Sequence, residues 1–83
     1  VGQYRFAVKV VGRPNHAGTT PMNMRKDALV AAAQIVLAVN TLAVETPGDQ
    51  VATVGYMNVS PNATNTVPGV VDLRIDLRDL SQD

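Results

Sequence analysis

Three residues of this 83-residue chain have the type and setting for chemistry: His16, Asn65 and Arg78. His16 is the only histidine and lies in Asn15-His16-Ala17-Gly18-Thr19-Thr20-Pro21, among glycine and small polar residues that leave an imidazole reachable. Histidine is the usual proton carrier near neutral pH and a ready hydrogen-bond donor. Asn65, with Asn62, lies in Pro61-Asn62-Ala63-Thr64-Asn65-Thr66-Val67-Pro68-Gly69, where an amide could meet a ligand. Arg78 ends an alternating charged run with Asp72, Arg74 and Asp76, placed so that its planar fork could grip a ligand carboxylate. Each has a plainer reading: a surface-loop histidine, routine turn asparagines, and a solvated sheet face paired with Arg5 and Lys9. From the residues alone both readings stand.

One imidazole, one amide and one guanidinium are helpers, not a catalytic engine. A single histidine, no cysteine and no spaced carboxylate pair predict no metal site in this chain. There is no glycine-rich phosphate loop and no Ser-His-Asp order. Seven basic residues balance seven acidic ones, and Arg25-Lys26 starts no long basic run, so no nucleic-acid partner is expected. No apolar stretch approaches the roughly 20 residues of a membrane span, and Val1-Gly2-Gln3-Tyr4-Arg5 lacks the layout of a signal peptide. The expectation is a soluble, cytoplasmic protein.

The elements that must position these residues follow from periodicity. Tyr4, Phe6, Val8 and Val10 alternate with Arg5, Ala7 and Lys9, predicting a first strand over 4–10 that Gly12 and Pro14 end. Leu29, Ala32, Ile35 or Val36, Val39 and Leu42 recur at three- and four-residue steps, predicting a helix between Asn23 and Val44. Asn23 is its expected N-cap, Asp27 sits in the first turn, and Pro47-Gly48 stops it. Ala31, Ala33, Ala38 and Ala43 form an opposite surface of small residues. Residues 50–59 read as a second strand containing a glycine, and 70–78 as a third, with Val71, Leu73, Ile75 and Leu77 on one face. A right-handed crossover leaves room for the third strand between the other two. The predicted fold is α+β: β-α-β-β, an antiparallel sheet in order 1-3-2 with the helix on one face, part of a ferredoxin-like split βαβ plan. A second helix and a fourth strand, which would complete it, are expected outside this segment.

Two strings carry a specific resemblance and together cover most of the chain. Gly12-Arg13-Pro14-Asn15-His16-Ala17-Gly18-Thr19-Thr20-Pro21-Met22 with Arg25 and Asp27 resembles the "G-x-x-x-HAGTTPM-x-x-R-x-D" motif of the hydantoinase/carbamoylase branch of aminoacylase-like metallopeptidases. Pro61 to Gly69, followed by Asp76-Leu77-Arg78-Asp79, resembles that branch's "P-x-A-x-N-x-x-PG … DLR" motif; Thr66 stands where an aliphatic residue is commoner. The resemblance implies that 1–83 is part of the dimerisation (lid) domain of a metal-dependent amidohydrolase, without its metal-binding catalytic domain. It implies His16 as the residue that polarises the scissile carbonyl, Asn65 as a substrate hydrogen-bond partner and Arg78 as the grip on an α-carboxylate. Two divalent ions (zinc, manganese or cobalt) would sit in the catalytic domain. Hydrolysis of N-carbamoyl-L-amino acids fits best, and the branches acting on allantoate and β-ureidopropionate share almost the same lid residues. A non-catalytic ferredoxin-like binding or dimerisation module is the alternative of another class.

Size points the same way. A domain this small buries only about 60–65% of its unfolded surface, and without cysteine it has no disulfide staple. Oligomerisation or packing on a partner domain is the expected supplement. The unpaired edge of the second strand and the helix predict a homodimer.

Overall fold

The computed structural model describes residues 2–80. Strand β1 (Gly2–Val11) is followed by a 3-10 turn (Met22–Met24), helix α1 (Ala28–Glu45), strand β2 (Gln50–Ser60) and strand β3 (Val70–Asp79). The strands form one antiparallel sheet in order β1-β3-β2 with α1 on one face. This is the predicted β-α-β-β part of the ferredoxin-like split βαβ plan.

The register follows from the strict alternation in β3. Val71 and Leu73 turn toward α1 and are fully buried, joined by Ala28 and Ala32 of the helix. Asp72, Arg74, Asp76 and Arg78 therefore point to the open face. There Asp76 lies opposite Arg5 and Asp72 opposite Lys9, the cross-strand charge pairing expected from sequence. In β2 the alternation slips. Val54 faces Ile75 and Tyr56 faces Arg74, so Gly55 is an extra residue bulged out of the ladder. Val54 and Val59 both reach the core across this break.

The helix begins later than its periodicity suggests. Its N-cap is Asp27, not Asn23: the Asp27 carboxylate accepts from the N–H groups of Leu29 at 2.9 Å and Val30 at 3.2 Å. The reason lies in the preceding residues. Arg13 N–H donates to Lys26 O at 2.8 Å, a bridge that holds the backbone extended and postpones the helix. A Cβ on Gly12 would come 2.0 Å from that same carbonyl oxygen, so only glycine admits so close a crossing.

The faces of α1 also differ from expectation. Leu42, read as inward, is 66% exposed, whereas Ala31 and Ala43, read as outward, are half-buried. The helix lies mainly over β2. Tyr4 and Phe6 on β1 are therefore exposed although they share the inner face with Val8 and Val10. Outward, Val30, Leu37 and Val44 recur every seven residues and are all exposed. Apolar on both sides, α1 is long and apolar enough to cross a membrane by length and composition alone, although no span was expected from the sequence. Its seat on the sheet explains the inner side. Among the described residues nothing covers the outer side.

Candidate functional site

The loop after β1 and the loop before β3 are zipped together at one end of the sheet. Ala17 N–H donates to Asn65 O and Val67 N–H to Asn15 O, each at 2.8 Å, which brings His16 opposite Thr66. Ala28 N–H reaches Pro68 O at 3.0 Å and Gly12 N–H reaches Gly69 O at 2.8 Å, fastening the same segment to the helix start and to β1. Val67 is buried beneath it. His16 and Asn65, 49 positions apart in sequence, thus share one rim.

Both side chains are exposed there and both are oriented. Gly18 N–H donates to His16 Nδ1 at 3.0 Å, and Nε2 has no partner among the described residues. Asn65 Oδ1 accepts from the Thr66 hydroxyl at 3.3 Å, leaving the Asn65 amide N–H groups as free donors. Thr66, which departs from the motif that the sequence resembles, thus contacts the Asn65 amide. Asn62 adopts φ 59°, a left-handed turn conformation that asparagine tolerates, and here the turn reading accounts for it. Ser60-Pro61 is cis.

Arg78 lies at the other end. Its β3 position faces Gln3 and Val51, eight steps from Val70, or about 27 Å along the strand. Its guanidinium makes a two-pronged pair with Asp76, Nε to Oδ1 at 2.9 Å and one Nη to Oδ2 at 3.2 Å. Arg5 Nε joins Asp76 Oδ2 at 3.3 Å from β1. The hydrogen bond from Arg78 is the main cause that holds the Asp76 carboxyl below its ordinary range; desolvation opposes it, the hydrogen bond from Arg5 adds a smaller effect in the same direction as Arg78, and Asp76 in turn raises Arg78. Beside them Arg74 stacks over the Tyr56 ring, 5.2 Å from its centre.

The described residues contain no group of three His, Cys, Asp or Glu side chains able to hold a metal ion. What the chain offers chemically is two directed donors at one end and a guanidinium at the other.

No family model matches the chain. Among curated proteins, it is 51% identical over 78 residues to N-carbamoyl-L-amino-acid amidohydrolase of Paenarthrobacter aurescens, spanning 94% of this chain and 19% of that protein. It is 40% identical to allantoate amidohydrolase of Bacillus subtilis, over 93% of this chain and 19% of that one. In three dimensions it matches an amidase of the hydantoinase/carbamoylase family from Burkholderia multivorans with a TM-score of 0.90 and 38% identity, covering 96% of this chain and 20% of that one. The chain belongs to the hydantoinase/carbamoylase family of amidases. It spans about a fifth of the length of these relatives.

Sequence reading named His16, Asn65 and Arg78, and the structure brings the first two together and sets the third apart. It quoted Gly18, Thr66 and Asp76 without seeing that they contact His16, Asn65 and Arg78. Such contacts run to main chain or to a near neighbour and leave no periodic trace; the motif strings contain Gly18, Arg25 and Asp76 but say nothing of what they touch.

Proposed function

We propose that this chain is the lid and dimerisation domain of a metal-dependent amidohydrolase that cleaves N-carbamoyl-L-amino acids to the amino acid, carbon dioxide and ammonia. The observation that carries the reading is the zipper that sets His16 beside Asn65 with outward-facing donors. A developing oxyanion needs such preorganised donors, and removing one costs about 10²–10³ in kcat. Arg78 would hold the substrate carboxylate through its fork. The two divalent ions and the base acting on water would come from a catalytic domain outside this chain. An allantoate substrate is the second reading, favoured by 40% identity to the Bacillus subtilis enzyme.

The site would be shared between two chains. No amino-acid-sized ligand spans the sheet from Asn65 to Arg78. A two-fold partner joined along the β2 edge, with α1 packed through Val30, Leu37 and Val44, would lie antiparallel. The His16 end of one protomer would then lie beside the Arg78 end of the other. A helix apolar on both sides calls for such a cover.

The full-length enzyme tests both parts. It should hydrolyse N-carbamoyl-L-amino acids faster than allantoate or β-ureidopropionate, and His16→Ala or Arg78→Ala should each be nearly inactive. Mixing the two variants with subunit exchange should restore about one quarter of the wild-type sites, since each mixed dimer collects both defects in one site. Preference for allantoate would move the assignment to the second reading. No recovery after confirmed exchange would remove the shared site.

A further inference from the structure

Arg25 is half-buried, and neither ion pair among the described residues involves it. Its guanidinium instead serves main-chain carbonyls: one Nη donates to Ala17 O at 2.6 Å and Nε to Thr20 O at 3.0 Å. A cation removed from water normally finds an anion, so using it on two carbonyls of one turn needs a reason. The reason is on the other side of the same peptide unit. Ala17 C=O and Gly18 N–H belong to one planar, trans amide and point in opposite directions. Arg25 holds the oxygen, and the N–H meets His16 Nδ1 at 3.0 Å.

A backbone N–H can only donate, so Nδ1 is the acceptor and the neutral ring carries its proton on Nε2. The rest of the turn keeps this peptide in place. His16 O accepts from Thr20 N–H at 3.1 Å and from the Thr20 hydroxyl at 2.7 Å. Gly18 also leaves the ring its place, since a Cβ there would sit 3.1 Å from the imidazole Cε1 and press on it. Were the Ala17–Gly18 peptide to flip, a carbonyl would face Nδ1 and draw the proton to it. Nε2 would then turn a lone pair toward a ligand oxygen.

We infer that Arg25 is a positioning residue for His16: by fixing the Ala17–Gly18 peptide it keeps the imidazole proton on Nε2, where it can be donated. This rests on the reading of His16 as an oxyanion donor, and the test separates the two. In the full-length enzyme, Arg25→Ala should lower kcat about 10- to 100-fold, the size of a misplaced catalytic group, with KM changed less than about threefold. In a His16→Ala background the same substitution should change kcat less than about twofold, because its effect passes through His16. Arg25→Lys, which keeps the charge but not the fork, should recover part of the loss. With 15N-labelled histidine, the His16 signals, assigned by their absence in His16→Ala, should show protonated Nε2 in the wild type and a tautomer mixture in Arg25→Ala. Should Arg25→Ala fail to fold, Arg25→Lys and Arg25→Gln carry the same comparison.

If His16→Ala alone leaves kcat intact, the reading of His16 fails. If His16→Ala is severe but the Arg25 effect is additive to it, or the tautomer is unchanged, the inference about Arg25 fails by itself.

Discussion

Asp76 is held by arginines from two strands, and it occupies the fork of Arg78 that a ligand carboxylate would use. If Arg78 binds a ligand carboxylate as proposed, the ligand would share the guanidinium or displace Asp76, with Arg5 at hand to keep the released carboxylate paired. The pair also has a pH signature. Because the folded-state value of Asp76 is depressed, chiefly by the hydrogen bond from Arg78, its contribution is fully present above the ordinary carboxylate value and disappears as pH falls through the depressed one. The stability difference between wild type and Asp76→Asn, measured by urea unfolding across the acid range, should shrink in that window. It should also weaken with salt, because the pair is exposed. A difference that stays constant down to strong acid would mean that Asp76 matters for reasons other than its charge. At this scale the candidate groups could be named from the sequence, but their orientation could not. Nothing in the spacing of Arg25 and His16 tells that they meet opposite sides of the Ala17–Gly18 peptide.

Strand β2 absorbs one extra residue at Gly55, and its two halves keep their inward faces only because of that slip. Deleting Gly55 would turn the order Val54-in, Tyr56-out, Met57-in into plain alternation without turning any side chain over. Deleting Asn58 would instead reverse either Val59 or the Tyr56–Met57 pair. We expect the Asn58 deletion to cost about 1.5–3 kcal/mol more than the Gly55 deletion, the burial of one valine-sized side chain, as read from urea midpoints. Equal costs would show that the bulge does not carry the register. The elements themselves were legible wherever local pattern ruled, as in the alternation of β1 and β3 and the order 1-3-2. The start of α1 was not, because a tertiary bridge between Arg13 and Lys26 overrides a sequence that would otherwise continue the helix. Nor was the outward set of helix residues, since the position of α1 over β2 depends on packing rather than period.

The molecule is long for its mass. Its radius of gyration is 15.7 Å, against roughly 12 Å for a compact chain of this length, and its longest dimension is 54 Å. The core is not spread evenly along that length. Val67, Val71, Leu73, Ala28 and Ala32 are buried toward the His16 end. Toward the Arg78 end, Phe6, Val39, Leu42, Ile75 and Leu77 surround an apolar gap of about 400 Å³ between helix and sheet. The shared-site dimer would put the firm end of one protomer against the loose end of the other. Within β3 this difference becomes a gradient, from Val71 and Leu73, fully buried, to Ile75 and Leu77, partly open. Amide hydrogen exchange should follow it, slowest at Val71 and Leu73 and faster step by step toward Leu77; uniform protection along the strand would contradict it. A sheet that frays from one end can let go at Arg78 without loosening the turn at His16, so that, with the roles proposed above, release of a product carboxylate and upkeep of the donor geometry would be separate events.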